Sequence, residues 1–362
     1  MNFKKLLSVI LTSVIVTTLM VGCGKKVEEN KTVKQNISLA ELTSLAKKEG
    51  QVVSIGMPDS WANWKGTWND IKVKYSINHS DTDLSSAEEI AKFEAEKKNP
   101  TADIGDIGAA FAPLAVEKGL TTPYKTSYWK SVPNWAKDKD GNWMVAYTGT
   151  MSILTNKDLV KNPPKSFKDI LNGDYKVTID DAASATQSQM AVLAAAKAFG
   201  GNETNIQPGL DFFAKLAKQG RLVVNKNDLA SIEKGEVSVT LVWDFNALGY
   251  REKIDAKRFE VCIPTEGSVR TGYTTIINKY ALHPYAAMLT REYIFSNEGQ
   301  INLAKGFAKP VREDVKLPDD VKAKLLPTDQ YKNVSSIDDV TWGKTVKTLP
   351  QLWQEQVLAN IK

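Results

Sequence analysis

The sequence predicts an α/β fold in which two mainly parallel sheets, each flanked by helices, face each other across a ligand cleft. Three observations carry this expectation. Strand and helix signals alternate from residue 38 onward, the pattern that lays helices on the faces of parallel sheets. Two capping boxes mark helix starts within the first hundred residues. The chain has 362 residues, and single cores stop growing near about 250–300 residues, so two sheets fit better than one.

The elements follow in order. Ser38-Leu39-Ala40-Glu41 is a capping box, Leu39, Leu42, Leu45 and Ala46 form one apolar stripe, and Gly50 closes that helix. Residues 51–55 read as a buried strand. Ser85-Ser86-Ala87-Glu88 opens a second helix running to about residue 98, and residues 102–107 form a short apolar strand with a loop after it. Further strands are expected at residues 151–154, 176–179, 237–242, 259–263 and 273–277, with helices at 187–199 and 208–218 between them. Open sheets of this kind bind ligands beyond the carboxyl ends of their strands, so facing sheets put those loops on both sides of one cleft.

Composition removes several classes of function. With 42% hydrophobic and 25% charged residues, the chain is not disordered throughout. The 47 Lys and Arg against 42 Asp and Glu leave a net charge of +5, too small a surplus to argue for nucleic acid. Two Cys and two His exclude a disulfide scaffold, a zinc finger and a four-Cys cluster. Trp342-Gly343-Lys344-Thr345 echoes the end of a phosphate-binding loop, but Asp338 stands where its first Gly belongs. Gly105-Asp106-Ile107-Gly108 is too short for a dinucleotide fingerprint.

Residues 1–22 read as a secretory signal, because Lys4 and Lys5 precede an uncharged apolar run from Leu6 to Val21. At about 1.5 Å per residue this run covers roughly 24 Å, less than the ~30 Å hydrocarbon core of a bilayer. Leu19-Met20-Val21-Gly22-Cys23 resembles the bacterial lipobox, which implies cleavage before Cys23 and acylation of its sulfur. Polar residues 23–37 then form a flexible tether, placing the mature chain outside the cytoplasmic membrane on a lipid anchor. Cys262, between Val261 and Ile263, is expected as a buried thiol without an intrachain partner.

Several segments, in order, resemble the family-1 extracellular solute-binding proteins of ABC importers. They are Gly50-Gln51-Val52-Val53, Asn99-Pro100-Thr101-Ala102-Asp103-Ile104, Tyr147-Thr148-Gly149-Thr150 with Asn156-Lys157, Gly235-Glu236-Val237 leading to Leu241-Val242-Trp243, and Ala286-Ala287 followed by Tyr293 to Gln300. The resemblance implies a two-lobed, periplasmic-binding-protein-like (type II) fold whose lobes cross over near Thr148–Thr150 and Ser268–Thr271. Residues 38–147 with 269–312 would form lobe 1, residues 148–268 lobe 2, and residues 313–362 would pack back on both as helices. It further implies closure over one small-molecule solute, which is handed to permease subunits driven by a cytoplasmic ATPase, with no cofactor and no catalysis.

The resemblance also nominates binding residues. Asp59, Ser60 and Trp61 follow the first strand and are similar to the loop by which thiamine binders face a cationic heterocycle, although Trp61, Trp64 and Trp68 also make a helix face packed on a sheet. Trp243, Asp244 and Phe245 occupy the turn where polyamine binders carry a stacking Trp, and Asp244 equally suits a helix cap. Asp181, Ser184 and Thr186 open a helix as in phosphonate and sugar-phosphate binders, and Ser184 with Gln187 also reads as a capping pair. Asp106, Tyr147, Thr148 and Tyr273 lie near the second strand and the crossovers. No tyrosine pair stands at residue 243, which argues against ferric iron. Thr271 and Tyr273 replace the Trp and Asp of polyamine binders, which argues against a long diamine.

The carboxylates Asp59, Asp106, Asp180, Asp181 and Asp244, with the indoles, favour a small nitrogenous cation or zwitterion. The helix start at residue 186 supports an anionic phospho-compound as the alternative, and calcium is a lesser one, since it needs six or more oxygens. A secreted lipid-anchored hydrolase is the competing class. His79 and His283 read as surface or capping residues, and the adjacent Asp180 and Asp181 are poorly placed for paired-carboxylate chemistry.

Overall fold

The structure, a computed structural model, describes residue 34 and residues 36–225 and 228–361. The expected leader and Cys23 lie outside the described residues. The strands are β1 (Gln51–Ile55), β2 (Asn78–Thr82), β3 (Ile104–Gly108), β4 (Trp143–Asn156), β5 (Val177–Ile179), β6 (Leu222–Val224), β7 (Val239–Trp243), β8 (Phe259–Cys262), β9 (Ser268–Ile277), β10 (Lys309–Pro310) and β11 (Val334–Ser336). Their spatial order is β2-β1-β3-β9-β4-β7-β5-β6, with β8 and β10 paired to β4 and β11 paired to β9.

Each half of this curled sheet is mixed. In the first half β2, β1 and β3 run parallel, and β9 lies antiparallel between β3 and β4. In the second, β6, β5 and β7 run parallel, and β4 pairs antiparallel with both β7 and β8. The joint is β4, much longer than the four residues expected from its apolar run. Residues up to Thr150 pair with β9, and from Met151 onward the same strand pairs with β7 and β8. The second connection between the halves is the turn from β8 to β9, closed by the Gly267 N–H donating to the Pro264 carbonyl.

The helix starts follow local chemistry. Ser38 Oγ accepts the Glu41 N–H at 3.2 Å and Gly50 ends the Leu39–Glu49 helix at φ 70°. The Ser85/Glu88 capping box opens the Ser86–Ala95 helix. Polar β2 was not legible as a strand because it lies at the sheet edge and needs no apolar face. His79 on β2 stacks on Trp68 at 3.6 Å and meets Ser54 Oγ at 2.8 Å, and burial lowers its pKa to about 4. It is therefore a packing residue rather than a surface one.

Ile90, Phe93, Ile107 and Ile276 build the core of the first half, and Val242, Leu248 and Phe259 that of the second. The C-terminal segment touches both. Its β11 adds to β9, Trp342 and Trp353 are fully buried, and Trp353 meets Phe213 edge-on at 5.5 Å. Cys262 is buried, its thiol pushed up to about 11 by desolvation. Among the described residues no helix is long and apolar enough to cross a membrane.

Candidate functional site

A cavity of about 580 Å³ lies between the loops at the carboxyl ends of the parallel strands, where open α/β sheets place ligands. From the first half it is lined by Gly56, Pro58, Ser60 and Trp61 after β1, by Asp83 to Ser86 with Glu88 and Glu89 after β2, and by Asp106 of β3. From the second come Asp180, Asp181 and Ser184 to Gln187 after β5, and Val224, Asn225, Asp228 and Leu229 around β6, with Tyr250. Tyr273 of β9 completes the wall.

Trp61 is held in place by its backbone and its neighbours. Ala62 and Asn63 adopt left-handed backbone (φ 45° and 56°), and the Asn63 amide donates to the Asn302 carbonyl at 3.1 Å. Trp61 Nε1 donates to Tyr147 Oη at 2.7 Å, and Tyr147 Oη donates to Asp106 Oδ2 at 2.6 Å. Edge contacts of Trp61 with Phe245 (5.3 Å) and Tyr273 (5.5 Å) complete an aromatic wall, and such pairs prefer this geometry.

Seven of the lining residues are carboxylic acids, and no described lysine, arginine or histidine lines the cavity. Burial raises Glu89 and Asp106 well above the usual carboxylate range. The Asp106 charge adds to the shift of Glu89, and Tyr147 and the Trp64 indole partly offset that of Asp106. Asp81, at the end of β2, is raised to about 6 by burial, against hydrogen bonds from Ser54 and the Met57 N–H.

The expected site residues divide into two groups. Ser60, Trp61, Asp106, Asp181, Ser184, Thr186 and Tyr273 line the cavity. Tyr147, Thr148, Trp243, Asp244 and Phe245 are buried behind its wall, and Asp59 is exposed beside it. Trp243 donates from Nε1 to Tyr273 Oη at 3.0 Å, so it backs the aromatic wall. Asp244 accepts from Thr150 N–H (2.9 Å), Phe245 N–H (3.0 Å) and Tyr331 Oη (2.8 Å), which ties the β4 crossover to the C-terminal segment. Burial raises its pKa to about 6. Trp64 and Trp68 stack in the core, and only Trp61 of the three indoles reaches the cavity.

Glu89 was missed by sequence reasoning, although a signal was present. It lies four residues before Phe93 and beside Ile90, on the buried face of its helix. Gln187, expected to form a capping pair with Ser184, does not cap its helix, whose cap position is Ala185. Its carbonyl accepts from Trp243 N–H (3.0 Å) and Asn246 (3.2 Å), and its amide donates to Asp180 (3.1 Å).

Comparison with known proteins agrees with this geometry. A family model described as bacterial extracellular solute-binding protein matches residues 99–336. A probable ABC transporter periplasmic-binding protein, y4fP, of Sinorhizobium fredii is 29% identical over 172 residues, covering 45% of this chain and 47% of that protein. The chain thus matches about half the length of that relative. Among solved structures, the periplasmic binding protein AfuA of Actinobacillus pleuropneumoniae, with fructose-6-phosphate bound, superposes with a TM-score of 0.69 at 19% identity, covering 86% of this chain and 99% of AfuA. A periplasmic thiamin binding protein gives 0.69 at 16% identity, covering 85% and 96%. These likenesses show the two-lobed fold, and the family is one of solute binders rather than enzymes. By the match over residues 99–336, the chain belongs to the bacterial extracellular solute-binding proteins.

Proposed function

We propose that the chain is the substrate-binding subunit of an ABC importer, which captures a small nitrogenous cation or zwitterion outside the cell by closing two lobes over it. One observation carries the ligand class. The aromatic wall of Trp61 and Tyr273 shares its cavity with buried carboxyls, and no described basic residue lines it. An indole face attracts a cation by about 0.5–2 kcal/mol, more when water is excluded. The hinge in this reading is the pair of connections at β4 and before β9, which separates residues 38–147 with 269–312 from residues 148–268. A solute touching both lobes favours the closed state by its differential affinity. The membrane partners are a permease with its ATPase, and lipid on Cys23 would hold the chain beside them.

A second reading, an anionic phospho-compound, has one observation in its favour. The Thr186–Ala198 helix begins at the cavity with Ala185 in the cap position and no side-chain cap, and a helix start attracts anions. A zwitterion would use both features. A thermal-shift screen of organic cations, zwitterions and phosphate esters tests the reading, because a solute at 100 times its dissociation constant stabilises by about 2.7 kcal/mol. Cationic or zwitterionic hits recovered unchanged support it; hits confined to phosphate esters favour the second reading, and a solute recovered hydrolysed would point to an enzyme.

A further inference from the structure

We infer that Glu89 and Asp106 together form a subsite at the floor of the cleft that holds one positively charged nitrogen group of the solute. This rests on the solute-binding reading above and adds the chemical group that is recognised. The two carboxyls reach the cavity from different elements, the Ser86–Ala95 helix and β3, and their residues are only 1% and 2% exposed. The Asp106 backbone N–H donates to Glu89 Oε2 at 3.2 Å, which fixes the Glu89 carboxyl against β3 at Asp106.

Space has been cleared for Glu89. A Cβ on Gly56 would collide with Glu89 Oε1, and one on Gly105 would lie 2.7 Å from Glu89 Oε2. Asp106 Oδ2 accepts from Tyr147, whereas Oδ1 is buried and makes no full hydrogen bond, the Trp64 indole N–H being its protein neighbour. No described lysine, arginine or histidine forms an ion pair with either acid.

Two buried carboxyls lining one cavity are costly unless something positive meets them. A positively charged group of the solute would supply that partner. A protonated amine or amidinium presents several N–H donors, so one can reach Glu89 and another Asp106 Oδ1. The aromatic wall of the same cavity then covers the rest of the cation. A metal ion fits less well, since the described residues contain no group of three or more ligating side chains suited to one, and calcium needs six or more oxygens.

The test uses the full chain as wild type, Glu89→Gln and Asp106→Asn, near-isosteric changes chosen to keep the packing. Each is melted at pH 8 with millimolar putrescine, agmatine or thiamine, and with glucose 6-phosphate as the anionic probe. At least one cation is expected to raise the wild-type melting temperature, with affinity at least tenfold weaker in both variants and no response to the sugar phosphate. A cation that stabilises both variants as well as wild type overturns the subsite and leaves the cation-binding reading standing. Stabilisation by the sugar phosphate alone overturns both the subsite and the cationic ligand while leaving a solute binder. No response to any probe also overturns the subsite.

Discussion

Thr186 Oγ1 donates a 3.1 Å hydrogen bond to Ser86 Oγ, and this bond joins the starts of two helices that belong to opposite halves of the sheet. Ser86 Oγ also accepts the Gly108 N–H at 3.0 Å, so the contact runs from one half into the carboxyl end of β3 in the other. The Thr186 side chain rests directly on Gly108, where a Cβ would lie 2.5 Å from Oγ1. This contact lies beside the cavity and can exist only when the two halves are together.

Gly108→Ala is therefore expected to act as a wedge. Gly108 has φ −56° and ψ 140°, which alanine adopts without strain, so the cost falls on closure. Overpacking typically costs about 1–3 kcal/mol, roughly five- to 150-fold in solute affinity at 1.4 kcal/mol per tenfold. Calorimetric titration with a solute from the screen checks this. The loss should be smaller when Gly108→Ala is made in a Thr186→Ala background; equal losses in both backgrounds would contradict the interlock.

Trp61→Ala removes an indole from the cavity wall and the donor to Tyr147. Losing about 0.5–2 kcal/mol of cation–indole attraction predicts affinity lower by roughly two- to thirtyfold. Trp61→Phe keeps a ring and should lose less. The same titrations decide, and unchanged affinity in Trp61→Ala would remove the indole from the site.

Asp244→Ala should act on stability. It leaves the Thr150 N–H and the Tyr331 hydroxyl without their acceptor, at a cost of about 1–3 kcal/mol. Chemical denaturation is expected to show that loss, with Tyr331→Phe showing a smaller one. Wild-type stability with lost binding would instead restore Asp244 to direct ligand contact.

The pH dependence of stability has a defined sign at the start of the Pro284–Phe295 helix. His283 Nδ1 meets Asp103 Oδ2 at 2.9 Å, and that bond raises the imidazole pKa. Glu49 faces the same helix start, accepts the Ala286 N–H at 2.7 Å, and is raised by burial to about 7. Both groups bind protons more tightly in the folded chain. Their contribution is full below the unfolded pKa values and is lost as pH rises through the folded ones. The stability gap between wild type and His283→Asn should thus be largest near pH 5.5 and shrink towards pH 9. A gap that widens with pH would contradict this.

Much of the fold was legible because its signals are local. The capping boxes at Ser38 and Ser85, the Gly50 stop and the apolar runs of β1, β3, β7 and β8 each announce their own element within a few residues. The full length of β4 was not, since its continuation depends on changing partners from β9 to β7 and β8. The site was legible as loops but less so as side chains. Trp243 and Asp244 lie near the carboxyl end of a strand much as Trp61 and Asp106 do, and only packing puts the first pair behind the wall and the second at the cavity. Glu89 was hidden because a glutamate one place after a capping box reads as solvated, and its burial depends on the space left by Gly56 and Gly105.

The most direct measurement is a crystal structure of the full chain with the solute that stabilises it most. The expected result is one molecule between the β1–β3 loops and the β5–β6 loops, its charged nitrogen within hydrogen-bond reach of Glu89 and Asp106 and its body against Trp61. A solute bound elsewhere on the surface, or held with an anionic group against Glu89, would contradict the account.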